Sequence, residues 1–408
     1  MNHRITALLA TVAALTLSAG AALADDQAPA PAAPAAAAAP APMPMAPSLQ
    51  PAMTAPMSQN AAPLTLDLGP LGSKVYITGA VSGLAYAQSN PVSGDHDAFG
   101  DLGNAQIWIN KSDGDYQYFI DIGAYSLPAL GTLPYVKATT LTANTFDVVP
   151  IAYAKWAPSS LPGFSIQAGK LPTLIGDEYM FTVQNSNIER GLLWGVEPLV
   201  SKGVQVNYSS GPVTVNVAWT DGFYSNELNT LSGALTYVIS PTDTVILQGE
   251  GNVTKSKRVT ATTLPIYNNS QIYDVIWTHT MGPLSLTPYF QYTHAPAYPL
   301  EGWTKDTDTW GGALLATYTF DSKGMLAGWS LPARFEYIAQ SKGAGVGVPL
   351  FGPGSSAWSV TATPTFTLNR WFARAEVSYV GLTDGAGYGA LGTKKDQVRG
   401  MLELGVLF

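Results

Sequence analysis

The C-terminal segment QVRGMLELGVLF, residues 397–408, alternates between apolar and polar side chains with a period of two. Its apolar face consists of Val398, Leu402, Leu404, Val406 and Phe408. Arg399 and Glu403 lie on the opposite face. Successive side chains of a β-strand point to opposite sides of a sheet, so this pattern predicts a strand with one apolar and one polar face.

The same alternation recurs upstream, most clearly in segments 212–220, 330–339 and 370–380. We predict sixteen strands near 74–86, 103–111, 115–126, 149–157, 163–171, 201–209, 212–221, 231–239, 243–252, 271–280, 284–294, 309–320, 328–339, 356–367, 370–380 and 396–408. Short turns such as Ser210-Gly211 alternate with joints of about 9 to 29 residues. This asymmetry is typical of bacterial outer-membrane barrels, which have short periplasmic turns and long extracellular loops. It also places both termini in the periplasm.

The composition agrees with an all-β, transmembrane antiparallel β-barrel of about sixteen strands. Hydrophobic residues make up 46% of the chain and charged residues only 12%. No apolar run long enough for a membrane-spanning helix follows the N-terminus. Strands that alternate between lipid and lumen are half apolar, which explains low charge without long apolar runs. On composition alone a soluble β-sandwich or solenoid remains open. A barrel of sixteen strands leaves an aqueous channel, whereas eight strands fill with side chains.

Two further segments precede the predicted barrel, which spans 64–408. Residues 1–24 have the features of a secretory signal peptide: Arg4, the apolar stretch Ile5–Leu17 and the cleavage pattern Ala22-Leu23-Ala24. Residues 25–63 contain 10 Pro and 15 Ala, a composition that favours extended, unpacked chain. We interpret 25–63 as a disordered periplasmic tether, either a plain spacer or a segment that contacts peptidoglycan.

Catalytic and metal-binding chemistry has little support in the sequence. The chain has no cysteine and four scattered histidines, so we expect no metal site, no cofactor and no catalytic residue. The triplet Asp95-His96-Asp97 is the one cluster of catalytic residue types, but adjacent loop residues do not converge on one point. The net charge of −8 argues against nucleic acid as a partner.

The end of the chain resembles the C-terminal signature of outer-membrane proteins, in which a terminal Phe, here Phe408, is recognised by the barrel-assembly machinery. The chain as a whole resembles a bacterial porin. The stretch 164–223 narrows this resemblance through Gly169-Lys170-Leu171, Gly176-Asp177-Glu178, Asn185 to Arg190, Pro198, Gly203-Val204 and Asp221-Gly222-Phe223. Their order is similar to the putative β-barrel porin family of the second type. Asp177 and the pair Glu189-Arg190 depart from that family's pattern, which leaves subfamily and substrate open.

The resemblance implies a role for the third long loop, 172–200, because the third loop of porins commonly folds into the lumen and narrows it. Its charged residues are Asp177, Glu178, Glu189, Arg190 and Glu197. Carboxylates that face basic side chains across a narrow lumen would sort solutes by charge. A solvated surface loop is the alternative.

Charged residues on three predicted strands belong to the lumen wall, since a charge facing lipid costs about 2–4 kcal/mol at the bilayer midplane. They are Arg334, Glu336, Arg374, Glu376, Arg399 and Glu403. We expect Arg374 to meet Glu403 and Glu376 to meet Arg399 across neighbouring strands, either as a structural ladder or as a selectivity element.

The sequence therefore predicts an outer-membrane porin for passive diffusion of small hydrophilic solutes, with outer-membrane lipid and the assembly machinery as partners and a homo-oligomer left open. Two alternatives remain: an outer-membrane hydrolase, or an adhesin or scaffold with a plugged barrel. A Ser or Asp within hydrogen-bond reach of His279 or His294 would favour the hydrolase. A lumen filled by the third loop would favour the plugged barrel.

Overall fold

The computed structural model describes residues 63–69, 74–257, 265–299, 304–341 and 351–408. The predicted signal peptide, 1–24, and residues 25–62 of the predicted tether lie outside the described residues. Within the described part the fold is almost entirely antiparallel β-structure, as the alternation of the sequence predicts. None of the described helices is long and apolar enough to cross a membrane.

The described residues form eighteen strand segments in sequence order. They are β1 Leu64–Asp67, β2 Lys74–Gln88, β3 Ala98–Lys111, β4 Tyr116–Tyr125, β5 Ala152–Trp156, β6 Phe164–Pro172, β7 Val200–Ser210, β8 Val213–Thr220, β9 Thr230–Ser240, β10 Asp243–Asn252, β11 Gln271–Met281, β12 Leu284–Ala295, β13 Thr307–Thr319, β14 Trp329–Gln340, β15 Ser356–Ala362, β16 Thr365–Leu368, β17 Trp371–Asp384 and β18 Asp396–Leu407. Short helices span Ala138–Asn144 and Pro265–Asn268, and 3₁₀ turns span Thr182–Gln184 and Leu193–Val196.

Sixteen strands close the barrel. Segments β15 and β16 both pair with β14 and β17, so they are two parts of one strand that is interrupted at Thr363 and Pro364. Proline lacks the N–H that a strand ladder needs, which accounts for the break. The last strand closes onto β2, from Arg399 opposite Gln88 to Leu407 opposite Ala80. Strand β1 pairs with the first residues of β2. The predicted sixteen-stranded antiparallel barrel is confirmed.

Connections of two lengths alternate around the barrel. One end has short links such as 211–212, 241–242 and 282–283, whereas the other end has long ones such as 126–151 and 173–199. The final residue lies at the short-link end, where the backbone of Phe408 exchanges two hydrogen bonds with Gly79, at 2.9 and 3.0 Å. The short–long alternation of the sequence prediction is therefore present in the fold.

Burial alternates along each strand, as expected for a wall with an apolar outer and a polar inner face. On β18 the side chain of Leu404 is 63% exposed, whereas its neighbour Glu403 is fully buried. On β17 the exposed Trp371 is followed by the buried Phe372. The outward face carries the predicted apolar residues and the inward face carries the predicted charges.

Candidate functional site

The third long loop, between Pro172 of β6 and Val200 of β7, is buried along most of its length. Ile175, Ile188 and Leu192 are each 0% exposed. Its side chains and backbone contact residues from the inner face of the wall. Short 3₁₀ turns and extended segments build the loop, so many of its backbone N–H groups are left for partners on the wall.

Apolar side chains of the loop pack against one part of the wall. Leu192, Leu193 and Val196 belong to one buried cluster with Ile246 of β10, Ile276 of β11, Ile338 of β14 and Val380 of β17. The close approach depends on Gly311 of β13, where a Cβ atom would lie 2.4 Å from Cδ2 of Leu193. The loop therefore has an apolar core inside the barrel, formed jointly with the wall.

The first charged contact joins the loop to β14. The carboxylate of Glu178 forms an ion pair with the guanidinium of Arg334, and Glu336 lies 3.1 Å from Nε of the same arginine. Arg334 also donates to the main-chain oxygen of Glu189 at 2.8 Å. All three side chains are buried, where a charged hydrogen bond is stronger than in water and an unpaired charge is costly.

Two wall carboxylates hold the backbone of the loop. Glu376 of β17 accepts hydrogen bonds from the N–H groups of Ile188 and Glu189, at 2.6 and 2.9 Å. Glu336 accepts from the N–H groups of Leu192 and Leu193, at 3.0 and 3.4 Å. Backbone donors that the irregular loop leaves unpaired are satisfied in this way.

Two arginines of the wall complete the charged contacts in this part of the barrel. Arg374 pairs with Glu403 and donates to the main-chain oxygens of Asn185 and Thr182, both at 2.9 Å. Arg399 pairs with Glu189 of the loop.

The predicted pairing of Arg374 with Glu403 is present, since the register sets them directly opposite. The predicted pairing of Glu376 with Arg399 is wrong. Glu376 lies opposite Met401, and Arg399 lies opposite Ser378. Both charged groups turn to the loop instead, which the strand pattern alone does not encode.

Arg190 is the one loop cation among the predicted residues, and it is fully buried. Its guanidinium donates to the main-chain oxygens of Ile188 and Ser126, at 3.1 and 3.3 Å, and lies over the ring of Trp194 at 5.4 Å. Burial lowers the pKa of Arg190 to about 10, although nearby carboxylates such as Glu178 act in the opposite direction. Arg190 is therefore a structural cation at the centre of the loop.

The opposite side of the loop differs in its contacts, because among the described residues two of its carboxyl groups have hydrogen-bond partners but no ion pairs. Glu197 accepts hydrogen bonds from the hydroxyl of Tyr289 and from Nε2 of Gln291, the latter at 2.8 Å. Asp274 of β11 accepts from the backbone N–H of Gly176 at 3.1 Å. Within the part of the chain that the structure describes, neither carboxylate forms an ion pair. The same holds for Asp177.

Burial shapes the titration of the loop carboxylates. It raises the pKa of Asp177 and of Glu197 well above the usual range, and neighbouring carboxylates raise both further. Burial also raises the pKa of Glu178, but there the guanidinium of Arg334 opposes the shift. The two sides of the loop therefore differ in electrostatic compensation.

The structure brings the five predicted loop residues and the six predicted wall residues into one buried region. It adds wall residues that the sequence analysis missed, chiefly Asp274, Glu250, Tyr289 and Gln291. A signal for Asp274 was available, because it alternates with the outward Tyr273 and Val275 within a predicted strand.

Residue types associated with catalysis occur elsewhere. In the 95–97 triplet, Asp95 accepts from the hydroxyl of Tyr86 at 2.7 Å and from Gln88 at 2.9 Å, whereas His96 stacks on Phe99. The triplet therefore does not converge on one point. In the described residues, no group of three acidic or histidine side chains is arranged to hold a metal ion.

Two histidines each contact an aspartate, the contact that the sequence analysis associated with a hydrolase. Nδ1 of His279 lies 2.7 Å from Asp243, and Nδ1 of His294 lies 2.8 Å from Asp308. Both pairs lie on the outward face of the barrel. Among the described residues, no hydroxyl group is hydrogen-bonded to the other ring nitrogen of either histidine, so neither pair has a nucleophile in place.

Comparison with known proteins gives one family. The family model described as "Putative beta-barrel porin-2, OmpL-like" matches residues 74–408. No curated protein sequence matches the chain.

Several solved structures share the fold at low sequence identity. An anion-selective porin from Comamonas acidovorans is 10% identical, with a TM-score of 0.56 over 82% of this chain and 100% of that one. The outer membrane channel DcaP of Acinetobacter baumannii is 11% identical, with a TM-score of 0.53 over 85% and 100%. OmpT, an outer membrane protein of Vibrio cholerae in a trimer form, is 12% identical, with a TM-score of 0.54 over 82% and 99%.

Proposed function

This chain belongs to the OmpL-like beta-barrel porin-2 family, and from that premise we propose that it forms a channel through the bacterial outer membrane for passive diffusion of small hydrophilic solutes. The closed sixteen-stranded barrel supports the proposal, because barrels of this size are wide enough to enclose an aqueous path. The polar inner face supports it as well.

The third loop, 172–200, is the proposed constriction. The observation that carries this proposal is the set of contacts between the loop and the inner wall, above all Glu178 with Arg334 and Glu189 with Arg399. A loop held by buried ion pairs keeps a fixed cross-section, which a size-selective pore requires. Solutes then pass beside the loop.

The charges at this constriction favour cations. The basic residues Arg334, Arg374 and Arg399 are paired, whereas Asp177 and Glu197 have no cationic partner in the described residues. A cation that passes close to these buried carboxyl groups favours their ionised forms, and the low-dielectric tube strengthens the resulting attraction relative to open water. We expect weak cation selectivity.

Purified protein in a planar lipid bilayer tests the channel. We expect stepwise conductance and, in a salt gradient, a reversal potential of cationic sign. Absence of any conductance from correctly folded barrel would reject the porin function. Anionic selectivity would reject the charge assignment and leave the pore intact.

A plugged barrel is the second candidate, and one observation favours it. Leu192, Leu193 and Val196 form a buried apolar core with the wall, as a plug would. The same bilayer measurement separates the two candidates. A plug gives no current in the wild type, and current appears only after the loop is shortened.

The orientation of the barrel is also a proposal: short links and both termini in the periplasm, with the 25–63 tether below the membrane. Cysteine at Leu228, in an exposed long link, should react with an impermeant thiol reagent on intact cells, and cysteine at Pro241 in a short link should not. Reversed labelling would invert the topology.

Assembly has two proposed features. We propose that Phe408 serves as a signal for the barrel-assembly machinery, so its deletion should reduce the yield of heat-modifiable barrel more than deletion of residues 30–60 does. We further propose a homo-oligomer, since the Vibrio cholerae relative was solved as a trimer. Light scattering of the detergent-solubilised protein would show a monomer if this is incorrect.

A further inference from the structure

Four buried carboxyl groups meet where the third loop faces β10 and β11. Asp177 and Glu197 come from the loop, Glu250 from β10 and Asp274 from β11. Their exposed fractions are 3%, 7%, 6% and 2%. In the described part of the chain, no lysine, arginine or histidine lies within ion-pair distance of any of them. Four acidic groups thus share a buried region without a balancing cation, which is unfavourable for their ionised forms.

Gly176 is the point of the loop backbone that two of these groups, Asp274 and Glu197, approach. Its N–H donates to Oδ2 of Asp274 at 3.1 Å and to Oε1 of Gln248 at 2.7 Å. A Cβ atom at this glycine would lie 1.9 Å from Oε2 of Glu197, so the carboxylate occupies the space that a side chain would need. Gly176 also has a φ of 89°, a conformation that favours glycine.

Three carboxyl oxygens in this cluster are buried and have no hydrogen-bond partner: Oδ1 of Asp177, Oε2 of Glu197 and Oδ1 of Asp274. Buried acceptors are nearly always paired in folded proteins. A buried carboxyl group elsewhere on the inner wall shows the contrast, because both oxygens of Asp121 of β4 accept from Nε2 of Gln106, at 3.3 and 3.0 Å. The three unpaired oxygens of the cluster are therefore open to N–H donors that the described residues do not supply.

We propose that this cluster is a binding site for the primary ammonium group of a permeating solute. An –NH₃⁺ group has three N–H donors and one positive charge, which match three unpaired oxygens in an uncompensated acidic region. A metal ion fits less well, since no described group of acidic or histidine side chains has the arrangement to hold one. The inference rests on the proposed channel function and assigns it a solute class, amines.

The protonation of the cluster completes the chemistry. Burial raises the pKa of both Asp177 and Glu197, so the empty site keeps protons on these groups to a higher pH than an exposed carboxyl group does. A bound ammonium stabilises their ionised forms and displaces those protons into the buffer. Binding and proton release are therefore coupled.

Isothermal titration of the full-length barrel in detergent with 1,5-diaminopentane tests the site. The titration is repeated in two buffers that differ in ionisation enthalpy. We expect binding to the wild type with a buffer-dependent heat that reports proton release. Replacing Asp274 with Asn should weaken binding about tenfold or more, because a charged hydrogen bond is lost. Glu197→Gln should weaken it similarly.

The matched control is Asp121→Asn, which removes a buried inward carboxylate outside the cluster and should bind the diamine as the wild type does. Tetramethylammonium, a cation without N–H donors, should not bind. Gel mobility with and without heating shows that each variant is folded. Equal binding by the wild type and both cluster variants, equal binding of tetramethylammonium, or no binding to the wild type would each overturn the proposal. Titration needs no current, so its outcome is independent of whether the channel conducts.

Discussion

The two walls that flank the third loop differ in how they compensate its charges. On the side of β14, β17 and β18, each wall charge has a partner in the loop or on a neighbouring strand, as Glu178 has in Arg334. On the side of β10 and β11, Asp274 faces Asp177 and Glu197 without a cation. The side of β14, β17 and β18 therefore anchors the loop. The side of β10 and β11 carries the carboxyl groups that we propose bind a cationic solute.

The comparison teaches that burial alone does not assign a role to a charged residue. Arg374 and Asp274 are both almost completely buried on the inner wall. The arginine has main-chain and carboxylate partners and is structural. The aspartate has one backbone donor and one unpaired oxygen, and it is a candidate for ligand binding. The hydrogen-bond and ion-pair partners of Arg374 and Asp274, rather than their exposed fractions, distinguish their roles.

Removal of a charged partner on the side of β14, β17 and β18 should have the largest effect on docking of the loop. Arg334→Gln leaves Glu178 and Glu336 buried without their cation, which should cost about 3–5 kcal/mol of loop docking. We expect faster proteolysis within 172–200 and a larger single-channel conductance. Arg370→Gln, in an exposed turn, is the control. If both variants resist protease equally, the ion pair does not hold the loop.

A cavity in the apolar core between the loop and the wall should have the next largest effect on docking of the loop. Leu192→Ala removes a fully buried side chain and leaves a cavity, at a cost of roughly 3 kcal/mol. Limited proteolysis within 172–200 over a series of urea concentrations should show the loss. Leu314→Ala is the control, since Leu314 lies on β13 with its side chain 43% exposed on the outer face. Release of the loop by the control, or its retention in Leu192→Ala, would argue against a shared core.

The carboxyl groups on the side of β10 and β11 should have the smallest effect on loop docking. Their contribution to docking depends on pH. A carboxyl group whose pKa is raised by folding stabilises the docked loop below its unfolded pKa, and this contribution is lost as pH rises through the raised value. Protease resistance of the loop should therefore be severalfold greater in mildly acidic than in alkaline buffer. Glu197→Gln should flatten the profile, and Asp113→Asn, in an exposed turn, should not. An unchanged profile in Glu197→Gln would remove this residue from the titration.

The period-two alternation of the sequence was sufficient to predict the strands of the wall, but it did not predict the contacts of the third loop. A strand fixes which residues face inward, so Arg334, Glu376 and Arg399 could be assigned to the lumen from alternation alone. The partners of these residues could not be assigned, because a loop without periodicity carries no register. Glu376 is the clearest case: its partners are backbone N–H groups, which every residue has and no motif marks. Asp274 was missed because one acidic residue in an apolar strand lacks a visible partner.

The closure of the last strand onto β2 has a consequence for the timing of folding. The partners of the third loop on β17 and β18 are made about 200 residues after it, as in the 210-residue separation of Glu189 and Arg399. Contacts of such high separation form late, because much of the chain must be ordered first. The loop's Glu189 can therefore reach Arg399 only after the last strand has joined the barrel. A docked loop reports that the ring has closed.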